Sequence, residues 1–425
     1  MGGGSPLGRP ENMVHQTMNT SSARANRASS SNRAMLRFSH IMKLLLIIPS
    51  ALALLSCGHV QVPAPPLPQG PVSTSPGAPW PAVTPTPQAA PTQAGDALLR
   101  PKSRWVPAAW SDLPGWEQDR LDQAWPAQVR SCLRPHPAFA ALCPEIRQLA
   151  HADPGEQRRW MMERLRPYRV QERSGASEGL LTSYFEPVLM ARRQRSASHT
   201  VALYRPPADL ASRRPWYTRQ EIDTLEPARA ALSGREIAWL SDPIDAMLLH
   251  IQGSGRLLLT DADGSQRQVR VAFAGSNEQP YRSVNQWLLE QGVQRINPWP
   301  EATKDWAAQN PQRLNQLLWS NPRYIFFREE TITNPDEGPR GAQGVPLSAG
   351  RSIAVDPGSI PYGTPVWLAS NGPALAVQRL VMAQDTGSAI VGAVRADYFA
   401  GTGPQAGELA SKVKQGLQLW VLWPR

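Results

Sequence analysis

The chain has 425 residues, a formal net charge of +10 and 41% hydrophobic residues, and this length accommodates two ordinary domains plus extensions. Half of the charge precedes position 57, where six basic residues accompany one acid. No basic run interleaves with aromatic residues, which disfavours a nucleic-acid partner. The remaining charge is typical of a solvated, arginine-rich surface.

The amino-terminal segment has two parts. Residues 1–34 are rich in Gly, Ser, Asn and Arg without apolar periodicity, which indicates a disordered or spurious extension. Residues 35–56 have the order of a signal peptide, because basic residues precede an apolar run over 44–55. That run is too short to span a bilayer.

Cys57 follows this run directly, with a small serine before it, and the pattern resembles a bacterial lipoprotein signal. We therefore expect Cys57 to be lipidated; the alternative is a simple secretory signal with a chance cysteine. The next residue is Gly58 and not Asp, which in Gram-negative lipoproteins implies sorting to the outer membrane. We expect the chain to be lipid-anchored at the periplasmic face of that membrane.

Residues 57–100 are rich in proline and cannot bury a core. Such a stretch is an extended, semi-rigid tether that reaches up to roughly 100 Å at ~3.1 Å per residue.

From Trp105 to Tyr168 the pattern is helical, with a helix expected over 119–129. Cys132 and Cys143 bracket a loop in this stretch. Outside the cytoplasm they could form a disulfide, which would stabilise the fold by roughly 2–3 kcal/mol; the alternative is two buried thiols. Their spacing lacks the partners of a zinc site, and we expect neither a metal nor a cofactor.

Strands and helices alternate in the middle of the chain. A strand over 180–187 ends at a proline, and a helix over 242–252 leads through a Gly-Ser-Gly turn into another strand. The pattern also predicts strands over 201–204, 237–240 and 269–274, and helical pieces over 218–231, 283–289 and 311–319.

Strands dominate the carboxy-terminal part, and they are predicted over 324–328, 352–356, 364–369, 379–384 and 417–423. An amphipathic helix is predicted over 404–415, begun by Pro404 and ended by Gly416. Short strands with Gly and Pro turns and one late helix are typical of a small barrel.

Asp385 stands where an apolar run ends, followed by Thr386 and Gly387. A carboxylate at the end of a buried strand is costly to ionise, which makes Asp385 a candidate general acid. Asp-Thr-Gly-Ser is also a signature of aspartic proteases, but those enzymes need two carboxyl groups that share a proton. This chain has one such motif, which disfavours a protease.

Several separated motifs carry a family resemblance: Ile360-Pro-Tyr-Gly-Thr-Pro, Ala383-Gln-Asp385-Thr-Gly, Arg395-Ala-Asp397-Tyr-Phe, Tyr184-Phe-Glu-Pro and Gln252-Gly-Ser-Gly. Over about 105–425 the chain resembles the membrane-bound lytic murein transglycosylase A family, with a carboxy-terminal three-aspartate domain. The resemblance implies a mainly β fold with helices, in which a double-psi β-barrel domain carries an inserted second β-barrel domain and a groove lies between them. We expect the barrel domain, with its amino-terminal helices, over 101–187 and 321–425, and the insertion over 188–320.

The resemblance also implies an activity. The family cleaves the MurNAc–GlcNAc β-1,4 bond of peptidoglycan without water, leaving 1,6-anhydro-MurNAc ends, and its catalytic acid corresponds to Asp385. Groove residues on the matching motifs are Thr182, Tyr184, Gln252 and Ser254, to which we add Thr386 and Gly387 beside the acid. The implied partners are glycan strands, the outer membrane and a candidate cell-wall synthesis or hydrolysis complex, for a chain expected to be a monomer.

Three further carboxyl groups have two interpretations each. Asp397 either supports Asp385 or pairs with Arg395, and Asp356 either supports the acid or forms a turn before Pro357. Glu186 either binds substrate in the groove or closes its strand. Because a glycosidase usually needs two carboxyl groups, a two-carboxylate murein hydrolase and a non-catalytic cell-wall scaffold are the alternative functions.

Overall fold

The computed structural model of the protein describes residues 96–293 and 300–425. The expected extension, signal peptide, lipidation site Cys57 and the tether up to residue 95 lie outside the described residues.

Two sheets and the helices around them make up the described part. Its strands are β1 Leu98–Leu99, β2 Arg104–Pro107, β3 Leu165–Gln171, β4 Gly179–Glu186, β5 Val188–Arg192, β6 Val201–Tyr204, β7 Glu236–Leu240, β8 Ser254–Thr260, β9 Gln266–Ser276, β10 Ile325–Thr331, β11 Ser352–Val355, β12 Pro365–Asn371, β13 Ala376–Asp385, β14 Arg395–Thr402 and β15 Lys414–Pro424. Its α-helices are α1 Leu121–Ser131, α2 Cys143–Gln148, α3 Pro154–Arg164, α4 Arg219–Thr224, α5 Glu226–Leu232, α6 Pro243–Gln252, α7 Val284–Glu290, α8 Glu301–Gln309, α9 Leu314–Trp319 and α10 Pro404–Lys412.

Six strands of the first sheet close into a barrel. Their order is β15-β12-β13-β11-β14-β4, and β4 pairs back with β15. The pairs β11–β13 and β14–β4 are parallel, whereas the other pairs are antiparallel. The strands β3, β2 and β1 extend the sheet outward from β15. This ring is the double-psi barrel that the motifs predicted.

The barrel wall is apolar on both sides, which explains the unbroken apolar runs of its strands. On β12, Val366 and Leu368 belong to the barrel core, while the alternating Trp367 and Ala369 pack in the cluster that includes α1 and α3. Side chains alternate between the faces of a strand, so each strand of this wall serves two cores.

The second sheet has the order β10-β9-β8-β5-β7-β6, with β5 and β8 parallel. Its two outer strands meet through Tyr204 and Phe326, which share one apolar cluster, so the sheet is nearly closed. Leu249 of α6 packs in the core of this sheet. The expected fold class, two β-barrel domains with helices, is confirmed.

The chain passes between the two sheets at residues 187 and 332. The expected boundary at 320/321 precedes β10, which pairs with β9 along seven residues and therefore belongs to the second sheet. We propose that the insertion extends over 188–331 and that the chain returns to the barrel after Thr331.

Local patterns were misleading in three places. The stretch 105–168 is not helical throughout, because β2 and β3 pair with each other at its two ends. The expected helix over 218–231 is divided at Leu225, where Pro227 begins a new first turn. The late helix ends at Lys412 and not near Gly416, because β15 pairs with β4 from Lys414 onward.

Candidate functional site

A row of four residues, three of them polar, crosses four neighbouring strands of the barrel. Asp385, the last residue of β13, lies in register with Ala354 of β11; Ala354 pairs with Asp397 of β14, and Asp397 with Thr182 of β4. Residues in register across neighbouring strands project to the same face of a sheet. The row therefore places the two carboxyl groups on one face, two strand spacings or about 10 Å apart at the backbone.

Each oxygen of the Asp385 carboxyl group has a donor. The Tyr184 hydroxyl donates to Oδ2 at 2.8 Å, and the backbone N–H of Ala342 donates to Oδ1 at 2.9 Å. The loop of Ala342 comes this close because residue 341 is a glycine: a Cβ there would lie 2.4 Å from the carbonyl oxygen of Gln384. Tyr184 in turn packs on Phe399, with ring centroids 5.3 Å apart.

Burial raises the pKa of Asp385 to about 6, and the charge of Asp397 adds to the rise. The hydrogen bonds from Tyr184 and from the backbone of Thr386 and Ala342 oppose it. Burial also raises the pKa of Tyr184 well above its ordinary value, as does the neighbouring Asp385. Near pH 6 the site therefore contains a neutral phenol and a carboxyl group that exchanges its proton readily.

Asp397 is held by its neighbours on β4 and β14. The Thr182 hydroxyl donates a hydrogen bond to Asp397, and Arg395 donates to the same Thr182 oxygen at 2.8 Å. Burial raises the pKa of Asp397, while the Thr182 hydrogen bond and the Arg395 charge lower it. Asp397 thus lies in the row of Asp385 and near the charge of Arg395, and its two interpretations stay predictions.

Asp356 has structural contacts. Its carboxyl group accepts hydrogen bonds from the backbone of Gly358 and Gly392, at 3.0 and 2.9 Å, and from Lys102 at 2.9 Å. Burial works against ionisation here, but these three bonds together hold the pKa of Asp356 below its ordinary value. The contacts favour the turn-forming interpretation over a supporting acid.

The remaining predicted groove residues lie at two places. Thr386 and Gly387 are exposed directly after Asp385, and the Thr386 hydroxyl donates to the carbonyl of Val355 at 2.8 Å. Gln252 ends α6 and accepts a hydrogen bond from the backbone N–H of Phe185 at 3.1 Å, which joins the second domain to β4. Ser254 is buried at the start of β8.

Glu186 is the one predicted substrate contact that the structure corrects. It is fully buried, where Arg256 donates to it at 2.8 Å, Arg270 forms a second ion pair and the Thr402 hydroxyl donates at 2.8 Å. A fully buried carboxylate that is saturated with donors cannot reach a sugar, and Glu186 instead joins β4 to β8 and β9.

Cys132 and Cys143 form a disulfide, with their Cα atoms 5.5 Å apart. The loop between them lies beside the barrel, because Gln343 donates a hydrogen bond to the backbone carbonyl of Arg134 at 3.1 Å.

Within 96–293 and 300–425, no group of three or more His, Cys, Asp or Glu residues could hold a metal ion. Over the same ranges, no helix has both the length and the apolar character needed to cross a membrane.

Two neighbours of Asp385 were not predicted. Ala342 donates through its backbone N–H, so its residue type gives no indication in the sequence that it contacts Asp385. The Gly-rich stretch 338–344 around it does indicate that two backbones approach each other closely. Tyr362 lies near enough to Asp385 and Thr386 to interact with both, and its place in the Pro-Tyr-Gly motif was the available signal.

Two family profiles match consecutive parts of the chain: the MltA specific insert domain over 180–328, and the 3D domain over 351–423. The membrane-bound lytic murein transglycosylase A of Vibrio cholerae is 31% identical over 254 residues. That alignment covers 57% of this chain and 65% of the relative, so the chain spans slightly less than two thirds of this curated protein.

Solved structures match over a longer range. The lytic transglycosylase LtgG of Burkholderia pseudomallei is 40% identical, and the match covers 76% of this chain and 95% of that one, with a TM-score of 0.53. MltA of Neisseria gonorrhoeae is 29% identical with a TM-score of 0.64, over 79% of this chain and 96% of that one. With both domain profiles and a 40% identical relative matched over nearly its whole length, the chain belongs to the membrane-bound lytic murein transglycosylase A family and has its 3D domain.

Proposed function

We propose that this chain is a peptidoglycan lytic transglycosylase, a lyase that cleaves the MurNAc–GlcNAc β-1,4 bond and leaves 1,6-anhydro-MurNAc ends. The observation that supports it most is the carboxyl group of Asp385, with a pKa raised to about 6 and with one fixed donor on each oxygen. The names of its relatives agree with this activity.

Asp385 acts first as the general acid. In its neutral form it protonates the oxygen that leaves with GlcNAc, while the bond from that oxygen to C1 of MurNAc breaks and C1 gains oxocarbenium character. The Tyr184 hydroxyl and the Ala342 N–H then stabilise the carboxylate that forms, because both donors already point at its oxygens.

Asp385 acts next as the general base. The C6 hydroxyl of the same MurNAc attacks C1, the new C–O bond closes the 1,6-anhydro ring, and the hydroxyl proton returns to Asp385. An attached, well-oriented nucleophile has an effective molarity of ~10⁵ M or more, so water is outcompeted without a second carboxyl group. The enzyme ends in its starting protonation state.

The experiment is digestion of purified sacculi in H₂¹⁸O, followed by mass spectrometry of the muropeptides. Intramolecular capture gives anhydro products that contain no label. Hydrolysis gives reducing ends that are ~20 Da heavier in labelled water, because one water is added per bond cleaved. Products that are entirely labelled would contradict the proposal.

A two-carboxylate murein hydrolase is the second candidate, and the shared row of Asp385 and Asp397 favours it. Inverting glycosidases hold their carboxyl groups ~6.5–9.5 Å apart, and two strand spacings come near that range. Asp397→Asn separates the candidates. In a hydrolase this substitution removes the general base, so cleavage should stop. In a transglycosylase the products should stay unlabelled and the rate should stay within ~10-fold of the wild type.

A non-catalytic scaffold is the third candidate. Asp385→Ala decides here: the enzyme retains glycan binding and loses turnover, whereas a scaffold has no turnover to lose.

We further propose that the chain acts on glycan strands as a monomer, lipid-anchored through Cys57 at the periplasmic face of the outer membrane, where a cell-wall complex is a candidate partner. The membrane-bound description of its curated relative supports the anchor. Cys57→Ser should move the protein from the membrane fraction to the soluble periplasmic fraction. Unchanged membrane association of this variant would contradict lipidation.

A further inference from the structure

A cleft of about 380 Å³ opens on the barrel domain beside the candidate acid. Its lining combines one cation with aromatic, amide and proline side chains: Arg134, Pro135, His136, Ala342, Gln343, Pro357, Pro361 and Tyr362. No carboxylate is among them, so the cleft has a positive character.

Two residues that line the cleft interact with Asp385. Ala342, which donates its N–H to Oδ1 of Asp385, is one wall. Tyr362, which is near enough to interact with Asp385 and Thr386, is another. A group that enters the cleft is therefore attached to a sugar close to the scissile bond, and not to a distant part of the glycan strand.

Three features fix Arg134 in place. The Cys132–Cys143 disulfide closes the loop that carries it, and Gln343 donates a hydrogen bond to its backbone carbonyl at 3.1 Å. Its guanidinium lies over Gly344, where a Cβ would come within 2.7 Å of Nη1. Glycine at this position leaves room for the guanidinium.

The Arg134 guanidinium is exposed, and within the described ranges no carboxylate or other hydrogen-bond acceptor partners it. His136 adds a neutral donor. Its Nδ1 accepts a hydrogen bond from the backbone of Ala138 at 3.2 Å, which leaves the ring proton on Nε2. Burial, with the nearby charge of Arg100, lowers the pKa of His136. A fixed planar cation beside a neutral donor suits a carboxylate.

We propose that this cleft binds a carboxylate of the peptide stem on the MurNAc at the scissile bond, with Arg134 as the residue that recognises it. The inference rests on the proposed function. The stem is attached through the lactyl ether on C3 of MurNAc, two ring atoms from the C1 that reacts, and its amino acids carry free carboxylates. Binding there adds affinity for peptide-bearing strands and orients the MurNAc ring against Asp385.

The test compares two substrates: uncross-linked glycan strands that carry peptide stems, and the same strands after the stem carboxylates have been converted to amides. Arg134→Ala should raise KM for the strands with free stem carboxylates ~10-fold or more, as expected for losing a charge-assisted hydrogen bond, and leave kinetics on the amidated strands unchanged. Arg134→Lys should restore part of the loss. Arg229→Ala is the matched control, because Arg229 is an exposed arginine of α5, and it should leave KM unchanged for both substrates.

Equal effects of Arg134→Ala on both substrates, or none on either, would overturn the inference while leaving the proposed function in place. A wild-type protein that cleaves neither substrate would overturn the proposed function and this inference together.

Discussion

Tyr184 and Ala342 each donate a hydrogen bond to one oxygen of Asp385, and both bonds oppose the rise in its pKa that burial causes. A side-chain donor tunes the pKa, because the bond from Tyr184 opposes the rise that burial causes. The backbone donor at Ala342 fixes the orientation and survives every substitution at that position except proline, which has no N–H. Tyr184 is therefore a positioning residue for the acid as well as a predicted groove residue.

For Tyr184→Phe we predict a higher pKa of Asp385, because a hydrogen bond to the charged form is lost. The limb of the kcat/KM profile on which the acid loses its proton, near pH 6 in the wild type, should move to higher pH. The pH profiles of the two proteins on the amidated glycan strands measure this. A lower rate with an unmoved limb would indicate a purely steric role.

For Asp385→Asn we predict a gain in folding stability above pH 6. The folded-state pKa lies above its ordinary value of 3.8, so ionisation of Asp385 destabilises the fold. The free energy of unfolding of the wild type falls as the pH rises from about 4 through about 6, because Asp385 ionises over this range. The variant has no carboxyl group at this position, so its stability does not fall for this reason.

Urea unfolding should show the variant about 3 kcal/mol more stable at pH 7.5 and nearly equal to the wild type near pH 4. Equal stability at both values would mean that burial does not raise this pKa.

At the scale of elements, the junction between the two sheets depends on the ion cluster around Glu186. Its carboxylate is on β4 of the barrel, whereas Arg256 and Arg270 are on β8 and β9 of the second sheet. Both arginines also donate to the carbonyl of Glu337, on the returning segment. The Glu186 carboxylate thus connects β4 of the barrel, strands β8 and β9 of the second sheet and, through the two arginines, the segment that returns to the barrel at Glu337.

We predict that Glu186→Gln destabilises the protein by about 3–5 kcal/mol, because it leaves two buried guanidinium groups without a counter-charge. Glu330→Gln is the control, since its pair with Arg328 lies at the surface and should be worth less than about 1 kcal/mol. Urea unfolding measures both variants. If both variants lost less than about 1 kcal/mol of stability, the backbone carbonyl groups that accept from Arg256 and Arg270 would be enough to stabilise the two buried guanidinium groups.

The disulfide holds the loop of Arg134 against the barrel. We predict that replacing both cysteines with serine costs about 2–3 kcal/mol and makes unfolding insensitive to reducing agent. The wild type should lose the same amount on reduction. A wild type whose stability is unaffected by reduction would show that the loop is held by Gln343 alone.

Elements with a local signal were predictable from the sequence, and pairings between distant segments were not. The strand that ends at Asp385 was visible because its apolar run stops there, and the structure ends β13 at the same residue. The buried ion pairs of Glu186 could not be predicted from the sequence, since its partners are 70 and 84 residues away. A Tyr-Phe-Glu-Pro strand looks the same whether its acid faces a groove or a buried arginine pair.

At the scale of the whole molecule, the closed barrel pairs β4 with β14, and Tyr184 of β4 reaches Asp385 of β13 across 201 residues of sequence. Separated motifs in a fixed order predicted this fold class, and three of them, at Tyr184, Asp385 and Asp397, lie on the barrel strands β4, β13 and β14. The expected boundary near 320 differs from the one that we propose after Thr331, because β10 has the apolar pattern of a barrel strand in either domain.

Asp385→Asn, assayed on purified sacculi beside Asp397→Asn, tests the single-acid account most directly. The amide cannot donate and reclaim a proton, so Asp385→Asn should lower the rate of solubilisation at least ~10²–10⁴-fold while sacculus binding persists. Asp397→Asn should retain activity within ~10-fold and release unlabelled anhydro ends. Solubilisation by Asp385→Asn at the wild-type rate would contradict the account.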